Sequence, residues 1–243
     1  MIEFKNVNIT LSGRKILNDI SLKINKGEVF CIVGRSGVGK SVMIKQLVGL
    51  LWPQTGSIKF MGREVTAMTD SELMQLRKEC GMVFQNATLF DSMTCIENVA
   101  LPLVKHHKMT FKEAEEKAHM YMSMVGVGHL ANREPSVLGP GLKKLVSIAR
   151  TLTMEPKAIL FDEPTTGLDP LAARKFDELV KGSLFKTGVT QVVVSHDVRS
   201  IFDIANRVAM LHNGSLHFSG TPQELETSGD NVVNSFIKGE PID

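Results

Sequence analysis

Apolar and polar residues alternate from Ile2 to Ile9 and again from Ile20 to Ile24, the period of half-buried strands. The turn Asn25-Lys26-Gly27 follows, and then the compact run Glu28 to Val33, which reads as a buried strand that stops at Gly34. A helix is predicted from about Lys40 to Leu50, ending near Trp52-Pro53. After Gln85 the texture changes, and Thr94 to Val104, Phe111 to Val125 and Lys143 to Met154 read as mainly helical. Strand character returns at Ala158 to Phe161 and at Gln191 to Val194, with helical segments between. Arg207 to Leu211 and Leu216 to Ser219, around Asn213-Gly214, predict a terminal hairpin. The order gives an α/β fold: an N-terminal antiparallel β region, a core at 1–85 and 156–220, an inserted α-helical subdomain at 86–155, and a helical tail at 221–243.

Composition narrows the classes. The chain has 243 residues, enough to bury a real core, and its 43% hydrophobic and 22% charged content is that of a soluble globular protein. A formal net charge of +2 without a basic stripe argues against a nucleic-acid partner. Cys31, Cys80 and Cys95 are far apart and form no CxxC pair, so they read as small buried side chains in a reducing cytosol. Met1 to Lys5 lacks the pattern of a signal peptide, and no apolar run approaches the ~20 residues that span a bilayer. Work on a membrane would therefore go through another subunit.

The strongest chemical signal is Gly34-Arg35-Ser36-Gly37-Val38-Gly39-Lys40-Ser41, a GxxxxGK[ST] sequence between a predicted strand and a predicted helix. Glycines let such a loop turn its N–H groups inward, and the helix N-terminus adds partial positive charge. Lys40 would reach the β- and γ-phosphates of a nucleotide, and Ser41 would offer a hydroxyl to Mg²⁺. The strand Ala158 to Phe161 ends in Asp162-Glu163, where Asp162 suits a magnesium shell and Glu163 can polarise an attacking water.

With these in place, the sequence resembles the ABC ATPase family along nearly its whole length. Gln85 in Met82-Val83-Phe84-Gln85 looks like the glutamine that joins core to helical subdomain and contacts Mg²⁺ and water. Asp162 through Asp169 resembles the Walker B and D-loop segment, and Ser195-His196-Asp197 resembles the switch histidine that contacts the γ-phosphate. The resemblance implies a P-loop NTPase core, Mg²⁺ with ATP, and a homodimer in which two nucleotides are sandwiched. It also implies integral membrane permease subunits as partners, and a place on the inner face of the cytoplasmic membrane. The permease groove would lie near Gln85, Leu89 and Phe90, although core packing explains Leu89 and Phe90 equally well. Phe84 through Leu103, and the ending Val233 to Gly239, look like the phospholipid-transport ATPases of the Mla/Mce type, which adds an Mce-type lipid-binding protein as a partner.

Two stretches depart from the family pattern. The signature loop falls at Leu138-Gly139-Pro140-Gly141-Leu142, where Gly139 has no hydroxyl and Pro140 no N–H for the opposite protomer's γ-phosphate. Lys143 and Lys144 follow at once, and either could supply charge to that phosphate or simply be solvated. By position after Val7-Asn8, the base-stacking aromatic is replaced by Ile9, which implies weaker base discrimination. The altered signature keeps a second reading open, a nucleotide-binding regulatory subunit that hydrolyses little. The ATPase of another ABC importer is a third.

Overall fold

The computed structural model describes residues 1–241, so the tail predicted at 221–243 ends two residues outside them. β1 (Ile2–Leu11) and β2 (Arg14–Ile24) form one long hairpin. Its tip and the first half of β2 escape the alternation pattern for a physical reason. The β1–β2 register shifts between Phe4 and Val7 and twice more before Thr10, and each bulge resets which face a residue takes. β4 (Thr55–Phe60) and the short β5 (Arg63–Glu64) complete a four-stranded antiparallel sheet, ordered β2-β1-β4-β5, with β3 in the other sheet.

That second sheet holds β3 (Val29–Val33), β6 (Cys80–Val83), β7 (Ala158–Asp162), β8 (Thr190–Ser195), β9 (Arg207–His212) and β10 (Ser215–Gly220), in the order β10-β9-β3-β8-β7-β6. All neighbours are parallel except β9 and β10. Every residue of β3, β7 and β8 is buried, as expected of parallel strands covered on both faces. Alternation along β3 divides the interior. Phe30 and Ile32 join a core with Ile2, Phe4 and Ile58 of the antiparallel sheet, while Val29, Cys31 and Val33 join a second core with the helices.

The helices are α1 (Lys40–Leu47), α2 (Asp70–Glu79), α3 (Cys95–His107), α4 (Phe111–Met124), α5 (Pro140–Leu152), α6 (Pro170–Leu179), α7 (Val198–Ile204), α8 (Pro222–Glu226) and α9 (Asn231–Lys238). α2, α3, α4 and α8 each begin with a reciprocal Thr-x-x-Glu capping box, at Thr69/Glu72, Thr94/Glu97, Thr110/Glu113 and Thr221/Glu224. α1 stops at Leu47, short of the predicted end, and Gly49 beyond it takes a left-handed φ of 64°. α5 starts at Pro140 and not at Lys143, because Gly139 is its N-cap and a proline at the first position costs no intrahelical bond.

Helices α3 to α5 fill residues 95–152 and pack through Ile96, Leu103, Tyr121 and Ile148 onto the same core as β7. Leu89 packs against that core, whereas Phe90 is exposed and its backbone is held by the buried Asn98 side chain through Phe90 N at 2.8 Å and Phe90 O at 3.0 Å. All three cysteines are buried. Among the described residues no helix is long and apolar enough to cross a membrane.

Candidate functional site

β3, β8 and β7 lie side by side and parallel, so their C-terminal ends open at one edge. The glycine loop follows β3, Asp162-Glu163 ends β7, and His196 follows β8, so sheet order alone gathers groups from three distant parts of the chain. Loop geometry depends on glycine. Gly34 has a φ of 141°, and a Cβ on it would stand 2.4 Å from Leu211 O. Gly34→Ala is therefore expected to cost about 1–3 kcal/mol, read as a lower Tm with a matching loss of nucleotide affinity. Gly39, with a φ of 109°, is the N-cap of α1 and offers no side chain there, which leaves the first N–H groups of the helix facing the loop.

Lys40 is the hub. It is 4% exposed, its Nζ donates to Gly34 O at 2.8 Å and Arg35 O at 3.1 Å, and Glu163 Oε1 lies 3.3 Å away. Burial lowers its pKa from the usual lysine value, while Glu163 and Asp162 oppose that shift. Ser41 Oγ donates to Asp162, whose other oxygen is 3.9 Å from Lys45 Nζ. Glu163 Oε2 meets His196 Nδ1 at 2.8 Å and accepts from Thr166 Oγ1 at 3.2 Å. Its backbone has a φ of 48°, uncommon for a non-glycine residue, and its N–H donates to Val194 O at 2.9 Å. A cleft of about 310 Å³ runs between the loop and these groups, lined by Ile16, Ser36, Gly37, Gly39, Lys40, Ser41, Gln85, Glu163, Thr166 and His196 among others. A second depression of about 350 Å³ is lined by Arg35, Ser36, Gly37 and Val38 with Arg14, Ile16 and His212.

The donors fit a hard divalent cation. Among the described residues no three His, Cys, Asp or Glu side chains cluster to cage a metal. A hydroxyl (Ser41) bonded to a carboxylate (Asp162), with the Gln85 amide lining the same cleft, is an oxygen-only set. Mg²⁺ binds through one or two such groups plus substrate phosphates.

Several predicted residues sit elsewhere. Ile9 is 2% exposed and packs in the core with Ile2, Phe4 and Val7, so it presents no face to a base; the apolar side chains that do line the cleft are Ile16 and Val42. Lys144 is corrected too. It is 3% exposed and donates to Pro164 O of its own chain at 2.6 Å, which removes it from any phosphate of a second protomer. Lys143 is only half-buried. Leu138, Gly139, Pro140 and Gly141 stand outside the cleft, and a Cβ on Gly141 would be 2.9 Å from Ala172 Cβ. Asp169 caps α6, its carboxylate accepting from Leu171 N and Ala172 N at 3.0 Å each. Sequence reasoning missed Ile16, Lys45 and Thr166. Thr166 had a usable signal, a hydroxyl three residues beyond Glu163 in a Pro-Thr-Thr-Gly turn.

Residues 17–166 match the family described as ABC transporter. The chain is 38% identical over 242 residues to the methionine import ATP-binding protein MetN of Clostridium tetani, covering 100% of this chain and 76% of that one. It is 33% identical over 240 residues to the intermembrane phospholipid transport system ATP-binding protein MlaF of Haemophilus influenzae, covering 99% and 91%. Among solved structures it is similar to the dimeric ATP-binding cassette MJ0796 in a post-hydrolysis state bound to ADP and Pi, with a TM-score of 0.83 and 31% identity over 91% of this chain and 99% of that one. With a family match over more than half its length and relatives that run nearly end to end, the chain belongs to the ABC transporter family and is an ATPase of the ATP-binding cassette type.

Proposed function

We propose that this cassette, lying on the inner face of the cytoplasmic membrane, hydrolyses ATP in the cleft beside Lys40 and energises phospholipid transport through an integral membrane permease. The observation that carries the catalytic part is the Glu163 carboxylate, bracketed by Lys40 Nζ at 3.3 Å and His196 Nδ1 at 2.8 Å at the mouth of the glycine loop. The loop N–H groups and the N-terminus of α1 cradle the phosphates, and Lys40 turns its ammonium to the β- and γ-oxygens. Glu163 orients and deprotonates the attacking water, and His196 contacts the terminal phosphate from the open side. Mg²⁺, held by Ser41 and Asp162 with Gln85, would neutralise phosphate charge.

In the sandwich of two copies, the start of α5 faces the partner's nucleotide. Pro140 subtracts one donor, but as the first residue of the helix it leaves the N–H groups of Gly141 and Leu142 and the helix dipole in place. The altered signature therefore modifies the site without emptying it of donors. Lys143, half-buried beside these groups, remains the cation of that loop.

Phospholipid as cargo is supported by the likeness of Phe84–Leu103 and Val233–Gly239 to Mla/Mce-type ATPases, and by 33% identity to MlaF in an alignment that covers 99% of the chain. An Mce-type lipid-binding protein would complete that assembly. The higher identity to MetN favours methionine as the second reading. The test is turnover by the cassette with its co-purified permease in vesicles, supplied either with phospholipid-loaded carrier protein or with methionine. Stimulation of about fivefold or more by the lipid carrier alone is the expected result, and stimulation by methionine alone transfers the assignment.

A further inference from the structure

The buried lysine on α5 has no part in the chemistry described so far. Lys144 is 3% exposed, and a lysine so enclosed is rare unless something compensates it. Its ammonium donates to a neutral acceptor, Pro164 O, at 2.6 Å. Burial depresses its pKa, and the nearby Glu163 charge works against that depression.

Its target is unusual. Pro164 is itself buried and directly follows Glu163, whose backbone is held at a φ of 48°. A non-glycine residue persists in that region only where its surroundings over-determine it. On the N-terminal side the Glu163 N–H is tied to Val194 O at 2.9 Å, and its own carbonyl accepts from Thr166 N at 3.3 Å. Lys144 grips the next carbonyl along. Of these three bonds to the backbone of the turn it is the one that comes from α5; β8 and the turn itself supply the other two.

We infer that Lys144 is a positioning residue for Glu163, clamping the Pro164 carbonyl so that the carboxylate keeps its place between Lys40 and His196. The clamp also makes α5 a direct mechanical neighbour of the reacting turn. A Cβ on Gly141, one helical turn earlier, would stand 2.9 Å from Ala172 Cβ and 3.7 Å from Leu168 Cδ2, so the start of α5 lies close against the segment after Glu163. Any shift of α5 is transmitted to the backbone beside the carboxylate without passing through the nucleotide.

The inference rests on Glu163 as the reacting carboxylate, so the experiment carries Glu163→Gln as a control. Lys144→Met keeps the aliphatic stem and deletes the ammonium. Steady-state ATP hydrolysis and thermal melting are measured on both variants and on Lys144→Gln, which retains a donor. For Lys144→Met, kcat is expected to fall about 10–100-fold, with KM for ATP within about twofold. Its Tm should stay close to the wild-type value, because relief from burying an ammonium offsets the lost hydrogen bond to Pro164 O. Lys144→Gln should regain part of the lost kcat and keep the wild-type Tm. A Lys144→Met protein with wild-type kcat overturns the inference, as does one whose Tm falls in step with its activity, which would assign Lys144 to packing alone. Should Lys144→Met fail to fold, the kcat and Tm of Lys144→Gln decide by the same criteria. Full turnover in Glu163→Gln would instead remove the catalytic assignment on which the clamp depends.

Discussion

Glu163→Gln is expected to stop turnover while ATP still binds. A positioned general base contributes about 10²–10⁴-fold to rate, and glutamine preserves the shape of the side chain while losing the site for the proton. The geometry makes the split between binding and chemistry sharp. The Glu163 carboxylate competes with incoming phosphate for the Lys40 ammonium at 3.3 Å, so neutralising it frees Lys40 for the nucleotide. Affinity for ATP should therefore hold or improve as kcat collapses. Phosphate release and equilibrium binding of ATP, measured on the same preparation, decide the matter. A variant that retains most of its turnover would move the base elsewhere and reopen the regulatory reading.

The second large effect is expected at Lys40. Lys40→Met should raise the Kd for ATP by about 10–100-fold, as loss of one charge-assisted hydrogen bond worth about 1.5–3 kcal/mol implies. The same ammonium also closes the loop on itself through Gly34 O and Arg35 O, so a drop in nucleotide-free Tm should accompany the loss. Calorimetric titration with ATP and a melt without it separate the two roles. Unchanged affinity with a lower Tm would reduce Lys40 to a loop fastener.

Much of the fold and of the site is legible in the sequence. The strands read at Ala158 to Phe161 and Gln191 to Val194 are legible because strands covered on both faces carry apolar runs, here Ala158-Ile159-Leu160-Phe161 and Val192-Val193-Val194, and the glycine loop is legible because its spacing is dictated by backbone approach to phosphate. The losses have separate causes. α2 escaped although Thr69 and Glu72 spell a capping box, because its surface is mostly polar and its apolar stripe thin. β4 carries only Ile58 and Phe60 inward and begins with Thr55-Gly56, too short an alternation to stand out.

Ile9 occupies the position that the family pattern gives to an aromatic, but the periodicity of β1 turns it inward. Lys144 was read by its charge and not by its place. It precedes Ile148 and Leu152 by four and eight residues, the buried stripe of α5, and that spacing marks a residue headed for the interior.

The sheet order that gathers the site also sets when it can exist. β3 lies between β8 and β9, both of which belong to the last quarter of the chain. During synthesis the N-terminal hairpin can close as soon as Ile24 emerges, but β3 must wait for partners roughly 160 residues behind it, on the order of 10–30 s at ordinary elongation rates. Through that interval Val29-Phe30-Cys31-Ile32-Val33 is an unpaired, wholly apolar edge, the kind of segment that recruits strangers. The glycine loop hangs from its end, so a nascent chain can gain no stabilisation from ATP until nearly all of it has been made. Holding a chaperone close to the ribosome, or slowing elongation before β8, should change the yield of this protein more than any adjustment of its finished surface.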